Sequence, residues 1–492
     1  MEGPRERPGD ATLRGPGPRR RPGDPCSLRL QDPGPAPDGE SDAAGAESRR
    51  RKDPVRAAQG SPGCPPQGSG RWHPGRLTAL AVHPRCRRPE AGAAPDGGGS
   101  LIEALAPHLP GLREAAHAEA LGLYLHLPFC RDRCTYCSFV TTRDDSLQPA
   151  TVARLVAQVR SWGHALERPK VDTLYLGGGT PSLLSLVELD ALTEAVREAF
   201  DLSPLAEATL EANPGTVDLP WLGGARALGW DRISLGVQTL DDELLKRLGR
   251  IHDGRVALEA LELARQAGFE RRSGDLMVGI PGQDLTRVLE DAGRMVATGL
   301  EHMSIYLLDL DKNCPLKADV DAGRLELPSE DEVATVFEAL QIELPRLGLP
   351  PYEISNYAKP GAESRHNSRY WERRPYLGIG PSAASHLGAL RWTEAGNIPA
   401  WAEGRAAVEI VELDAAEALS EIPMLGLRMH RGVDWEALRA AAESSHLLPL
   451  VDAWEAQLAP FERGGLILRE GPILSLSERG MLLSNGILST FV

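Results

Sequence analysis

Between residues 122 and 308, short strand-like apolar runs alternate with amphipathic helix-like stretches about six times. No other feature restricts the fold as much. Strand, helix and strand in that order make a parallel pair joined by a crossover, and repetition builds a parallel sheet covered by helices. The expected strands are residues 123–127, 173–176, 208–211, 232–235, 275–278 and 303–308. Expected helices between them are 152–166, 186–200, 241–248, 256–267 and 285–298. Six such units suit an α/β fold of the curved, partial (βα)6 barrel type, with an open doubly wound sheet as competitor. Either one puts chemistry at the C-terminal ends of the strands.

Cys130, Cys134 and Cys137 form a C-x3-C-x2-C run directly after the first strand. Three thiolates at this spacing can hold three irons of a [4Fe–4S] cluster, leaving the fourth open to a substrate or cofactor. A Cys3His zinc site completed by His126 is the alternative, although its fourth ligand would come from within the strand. A redox dithiol would not need the third cysteine.

Polar residues recur at the other strand ends. Leu176-Gly-Gly-Gly-Thr-Pro181 follows the second strand. Its glycines let backbone N–H groups approach a ligand closely, yet a Gly-rich turn is often only a turn. No Lys follows them, so it is not a phosphate-binding P-loop. Glu211 ends the third strand, in Leu210-Glu-Ala-Asn-Pro-Gly215, and would suit ribose hydroxyls or an ammonium group. Gln238 and Thr239 end the fourth strand, Arg250 and His252 follow the next helix, and Asp275 begins Asp275-Leu-Met-Val-Gly-Ile-Pro-Gly-Gln283. Singly, each reads as a loop or cap residue; together at the ends of one sheet they read as a site.

The rest of the chain bounds this reading. Of 492 residues, the first 100 carry 17 basic and 12 acidic side chains and a single aromatic, Trp72, while the whole has a formal charge of -15. Such Pro-, Gly- and Arg-rich composition cannot bury enough apolar surface to order itself. Residues 1–118 are therefore expected to be a disordered tail or to follow from a mis-called start. The acidic remainder does not favour nucleic acid. Seven cysteines, three of them clustered, suit a reducing cytoplasm. No run reaches the length of a membrane span. The barrel is expected over residues 119–348. A smaller C-terminal α+β, winged-helix-like domain is expected over 349–492, where strand-like 465–468 and 473–476 precede helix-like 478–488.

In order and without large gaps, these motifs from Gly122 to Val492 resemble the radical SAM superfamily, specifically its oxygen-independent coproporphyrinogen oxidase branch. The resemblance implies a [4Fe–4S] cluster whose open iron takes S-adenosylmethionine, cleaved by one electron to a 5′-deoxyadenosyl radical. It assigns Tyr124, Gly178, Glu211 and Arg250 to S-adenosylmethionine. Tyr136, Gly179, Thr180, Gln238 and Asp275 match contacts to a second such molecule in the oxidases.

The oxidases carry a further cysteine two residues after the third ligand, where this chain has Phe139, and they have a structured N-terminal segment unlike this one. The Cys-x-Phe form resembles the HemW branch, the heme chaperones. Arg365-His-Asn-Ser-Arg-Tyr-Trp371 matches the motif that this branch associates with heme. The resemblance implies an axial imidazole from His366, porphyrin packing by Tyr370 and Trp371, and a propionate partner in Arg365. His386 is a second ligand candidate, and a hydrogen-bonded junction histidine is the other reading of His366. The expected partners are heme, heme-recipient proteins, an electron donor for the cluster and a transient membrane-associated protein. The oxidase and a zinc-binding interaction protein are the rival functions.

Overall fold

Helix starts are written into the loops that follow the strands. Asp218, Asp241, Asp253 and Asp284 each accept backbone N–H groups of a following first turn, and Ser185 with Glu188 forms a capping box. The computed structural model describes residues 101–310 and 314–492. Strands β1 (Leu121–Leu127), β2 (Val171–Gly178), β3 (Glu207–Ala212), β4 (Arg232–Gln238), β5 (Arg271–Val278) and β6 (His302–Leu307) pair in parallel, in chain order. This is the expected α/β incomplete barrel. The first five strands run longer than expected, and a further helix, Leu219–Ala227, lies between β3 and β4.

The sheet continues at both edges. Beside β6 lies the short antiparallel β7 (Asn356–Ala358). Beside β1 lies β8 (Tyr376–Ile379), parallel to it and followed by the antiparallel β9 (Ala384–Leu387), β10 (Leu390–Glu394) and β11 (Val408–Glu412). The expected edge of the first domain at residue 348 therefore falls inside the chain that builds this sheet. β8 returns to pair with the first strand, a contact too distant in sequence for a local pattern to reveal. A second apolar core starts at Leu419 and gathers Trp435, Trp454 and Phe491 around a three-stranded sheet, β12 (Val433–Asp434), β13 (Ile467–Glu470) and β14 (Ile473–Leu476), paired in the order β12–β14–β13. This is the smaller C-terminal α+β domain. The expected helix over 478–488 is two short ones, Glu478–Leu482 and Ser484–Leu488.

The N-terminal expectation also needs correction. Residues 101–118 contain helices Leu101–Ala104 and Leu109–Ala118, and this segment buries Leu105, Leu112 and Ala116 in the main core. Residues 1–100, with the remainder of the expected tail, lie outside the described residues. None of the described helices is long and apolar enough to cross a membrane.

The barrel's N-terminal end is closed by the helix Arg365–Trp371. Glu207 at the start of β3 receives that helix: its carboxylate accepts the N–H of Arg365 (2.9 Å) and of His366 (3.0 Å) and pairs with Arg271 at 2.8 Å. Burial opposes its ionisation. The guanidiniums of Arg232 and Arg271 and the two N–H groups outweigh burial, holding the carboxyl below its ordinary range. Arg369 of the same helix is fully buried, donating to the carbonyls of Ala120 and Pro375 and pairing with Asp172.

Glu207→Gln should cost about 3 kcal/mol in urea unfolding at pH 7, because the shape is kept while the charge facing the buried Arg232 and the half-buried Arg271 is lost. A carboxyl whose folded pKa is depressed stabilises above its unfolded pKa and loses that contribution as pH falls through the folded value. The gap between wild type and variant should accordingly narrow below about pH 4. A pH-independent gap would contradict the assignment.

Candidate iron–sulfur and S-adenosylmethionine site

The cysteine loop leaves the C-terminal end of β1 and rests directly on the Gly-Gly-Gly-Thr turn after β2. Gly179 donates to the carbonyl of Leu127 at 2.7 Å, and a Cβ built on it would stand 2.5 Å from the carbonyl oxygen of Phe129. Gly178 has φ of 114°, and its Cβ would meet the His126 ring at 2.7 Å. Side chains are excluded here because two backbones touch. The loop is also tied to the far side of the barrel. Thr135 bonds Leu248 and Arg247 backbone groups, and Tyr136 packs on a cluster containing Leu244, Leu248, Met277 and Cys314.

A hydrogen-bond chain links two of the thiols through three strand ends. Thr180 donates to Cys130 Sγ at 3.7 Å, Asn213 donates to Thr180 at 2.8 Å, and Arg250 binds both Asn213 and Cys134 Sγ, the latter at 3.4 Å. Arg250 is anchored by the Gly236 carbonyl at 2.6 Å, while its Nε is a buried donor left without a partner. Burial pushes the Cys130 thiol up to about 11 and raises Cys137, and each also feels the charge of its neighbouring cysteines. The three thiols thus share one half-buried loop, and all three are unpaired.

This donor set fits an iron–sulfur cluster better than zinc. His126, the expected fourth zinc ligand, has both ring nitrogens in contact, Nδ1 with Tyr124 Oη at 2.9 Å and Nε2 with the Val140 carbonyl at 3.3 Å. Burial lowers its pKa to about 4. Phe139 is 67% exposed on the same loop.

Beside the cysteine loop, the barrel interior carries the residues expected to meet S-adenosylmethionine. Glu211 accepts from Tyr175 Oη at 2.7 Å and from the Gly178 N–H at 3.0 Å, and burial raises its pKa. The Tyr124 ring lies 6.0 Å from that of Tyr175. Asp275 faces the same interior, bonded by Ser234 at 3.2 Å, and burial together with the Glu211 charge pushes it up to about 6. Gln238 is buried at φ of 71°, where the β4–β5 register shifts. His252 is held by the Val237 carbonyl and belongs to the loop's support. Asn213, the middle of the thiol chain, was visible only as part of Glu-Ala-Asn-Pro. Its role depends on Arg250 arriving from the loop after the helix Asp242–Arg247.

The expected heme residues lie elsewhere. His366 is fully buried, with Nδ1 on Thr173 Oγ1 at 3.0 Å and Nε2 on Tyr370 Oη at 2.8 Å, and its ring stands 5.1 Å from that of Tyr175. Burial lowers its pKa to about 3. In this arrangement both ring nitrogens are engaged within the protein, the geometry of the hydrogen-bonded junction histidine that was the other reading of this residue. The face of Trp371 is occupied by the Arg428 guanidinium at 4.2 Å. His386 Nε2 contacts the Gly388 carbonyl.

Comparison with known proteins agrees with the geometry. Residues 124–295 match the radical SAM superfamily, and residues 413–483 match the HemN C-terminal domain. The chain is 34% identical over 394 residues to the heme chaperone HemW of Mycobacterium tuberculosis, covering 78% of this chain and 97% of that one. It is 31% identical to HemW of Bacillus subtilis, over 75% and 98% of the two chains. It is 34% identical to the mitochondrial radical S-adenosyl methionine domain-containing protein 1 of Mus musculus, over 68% and 82%. Coproporphyrinogen III oxidase (HemN) of Escherichia coli superposes with a TM-score of 0.69 at 21% identity, over 78% and 93%, which speaks for the fold alone.

Cys134→Ala should leave the far-ultraviolet spectrum unchanged and reduce reconstituted iron and sulfide to below about a tenth of wild type, since one of three ligands is lost from a local loop. Full iron and sulfide retention would remove Cys134 from the ligand set.

Proposed function

We infer the function from one premise: the chain belongs to the HemW family of the radical SAM superfamily. We propose that it is a heme chaperone, binding heme and passing it to recipient proteins. The observation that carries this reading is the match along nearly the whole length of curated heme chaperones, through both the barrel and the C-terminal domain.

In this reading Cys130, Cys134 and Cys137 hold a [4Fe–4S] cluster. When bound, the cluster supplies an open iron and one-electron chemistry to S-adenosylmethionine. The protein's own groups do the holding. Arg250 donates to Cys134 Sγ at 3.4 Å and fixes the direction of that side chain. Glu211 presents a carboxylate fixed by Tyr175 and Gly178, suited to an ammonium group or to ribose hydroxyls. Tyr124, Gly178, Gly179, Thr180, Gln238 and Asp275 shape the rest of that pocket. An electron donor would approach the exposed loop around Phe139. Thiols that must stay reduced to take iron fit a cytoplasmic location.

The oxidase remains the second reading, favoured by the shared fold. Phe139, at the position of the oxidases' further cysteine, argues against it.

Two measurements test the reading. Anaerobically reconstituted protein should take up heme stoichiometrically and deliver it to an apo-hemoprotein, without converting coproporphyrinogen to protoporphyrinogen. Decarboxylation without retained heme would overturn the chaperone assignment. Glu211→Gln should weaken S-adenosylmethionine binding by at least about tenfold in equilibrium dialysis, the cost of a lost charge-assisted contact. Unchanged binding would move that contact elsewhere.

A further inference from the structure

The heme-associated helix has a second face. While His366 points into the barrel, Arg365 and Ser368 line a cavity of about 500 Å³ at the N-terminal ends of β2 and β3. That volume is within the range of cofactor sites. Its opposite wall comes from Tyr352 and from the segment Met429, His430 and Arg431, which leads into β12. Thr173, the hydrogen-bond partner of His366, also lines the cavity.

Three features of this wall suit an iron porphyrin. His430 is half-buried, its backbone fixed by the Tyr352 carbonyl at 3.0 Å, and its imidazole has no hydrogen-bond partner among the described residues. The rings of His126, His252, His302, His366 and His386 all have one. Met429 and Tyr352 supply apolar surface for a macrocycle. Arg365 is exposed and without an ion pair among the described residues, and Arg431 pairs at 2.7 Å with the half-buried Glu372, which also lines the cavity. Guanidiniums at such a mouth are placed for carboxylates. Three acids also line the cavity: Asp172 is taken by Arg369 and Arg374, Glu372 by Arg431, and Glu363 sits beside Arg365.

We propose that heme binds in this cavity, with His430 as the iron ligand and Arg365 and Arg431 meeting the propionates. The proposal rests on the heme-chaperone reading and deepens it. It gives the Arg365–Trp371 helix a role that its buried histidine cannot perform directly: the helix forms the wall of the site, and His366 locks that wall to the barrel.

The test is hemin titration of the full-length, cluster-loaded protein, followed by optical and electron paramagnetic resonance spectra. Wild type should bind one heme with a nitrogen-ligand signature. His430→Gly should lose that signature and bind at least about tenfold more weakly, and added imidazole should restore the spectrum. Arg365→Glu should weaken binding several-fold with the ligand signature intact. Because His430 makes no side-chain hydrogen bond, its removal leaves folding unaffected, to be checked by the circular dichroism melt. A wild-type spectrum retained in His430→Gly overturns the proposal and leaves the chaperone reading standing. Failure of the wild type itself to bind hemin overturns that reading too.

Discussion

Two carboxylates on one face of β3 organise both ends of the barrel. Glu207, Thr209 and Glu211 share that face because strand side chains alternate. The two acids lie in different fields. Glu207 sits against Arg232 and Arg271 and remains ionised despite burial. Glu211 has no guanidinium in contact; it accepts from a phenol and a backbone N–H, and burial raises its pKa. The first acid anchors the closing helix by its N-terminal N–H groups, where negative charge is favoured. The second holds the glycine turn under the cysteine loop. Removing an acid from this interior would leave buried donors unsatisfied, which costs more than the bond itself contributes.

At the cluster end, position is decided by backbone contact. The glycine turn and the cysteine loop approach so closely that a Cβ at Gly179 would overlap a carbonyl. Thr180, Asn213 and Arg250 then join the thiols across three strand ends. A loop held this way presents its sulfurs at fixed positions, as preorganised metal ligands require. At the opposite end, Tyr124, Tyr175 and His366 fill the interior as a packed aromatic column. The proposed S-adenosylmethionine pocket and the Arg365–Trp371 helix therefore share a residue: Tyr175 bonds Glu211 on one side and packs on His366 on the other.

Much of the architecture was legible because parallel strands are buried on both faces and read as continuous apolar runs. The helix Leu219–Ala227 was not, since Pro220, Gly223 and Gly224 look like breakers; Pro in a helix's first turn costs nothing. The short strands from β7 to β11 were also missed. Three to five residues carry little periodicity, and β8 finds its partner in β1 across more than two hundred residues. Residues 101–118 were absorbed into a compositional window dominated by their neighbours, although Leu105, Leu112 and Ala116 belong to the core.

The site divides along the same line. Sequence alone determined the chemical types: three cysteines after the first strand, glycines after the second, a carboxylate ending the third, and a histidine–aromatic helix downstream. These follow from local rules of spacing and backbone freedom. Only the tertiary structure decided which way each group faces. His366 lies in a motif that left an axial ligand and a hydrogen-bonded junction histidine both open, and Glu207, Thr173 and Tyr370 together turn it inward. His430, with no motif around it, is left facing a cavity. A helix offers several faces, and the one turned to a ligand is set by partners from distant strands, which no local pattern contains.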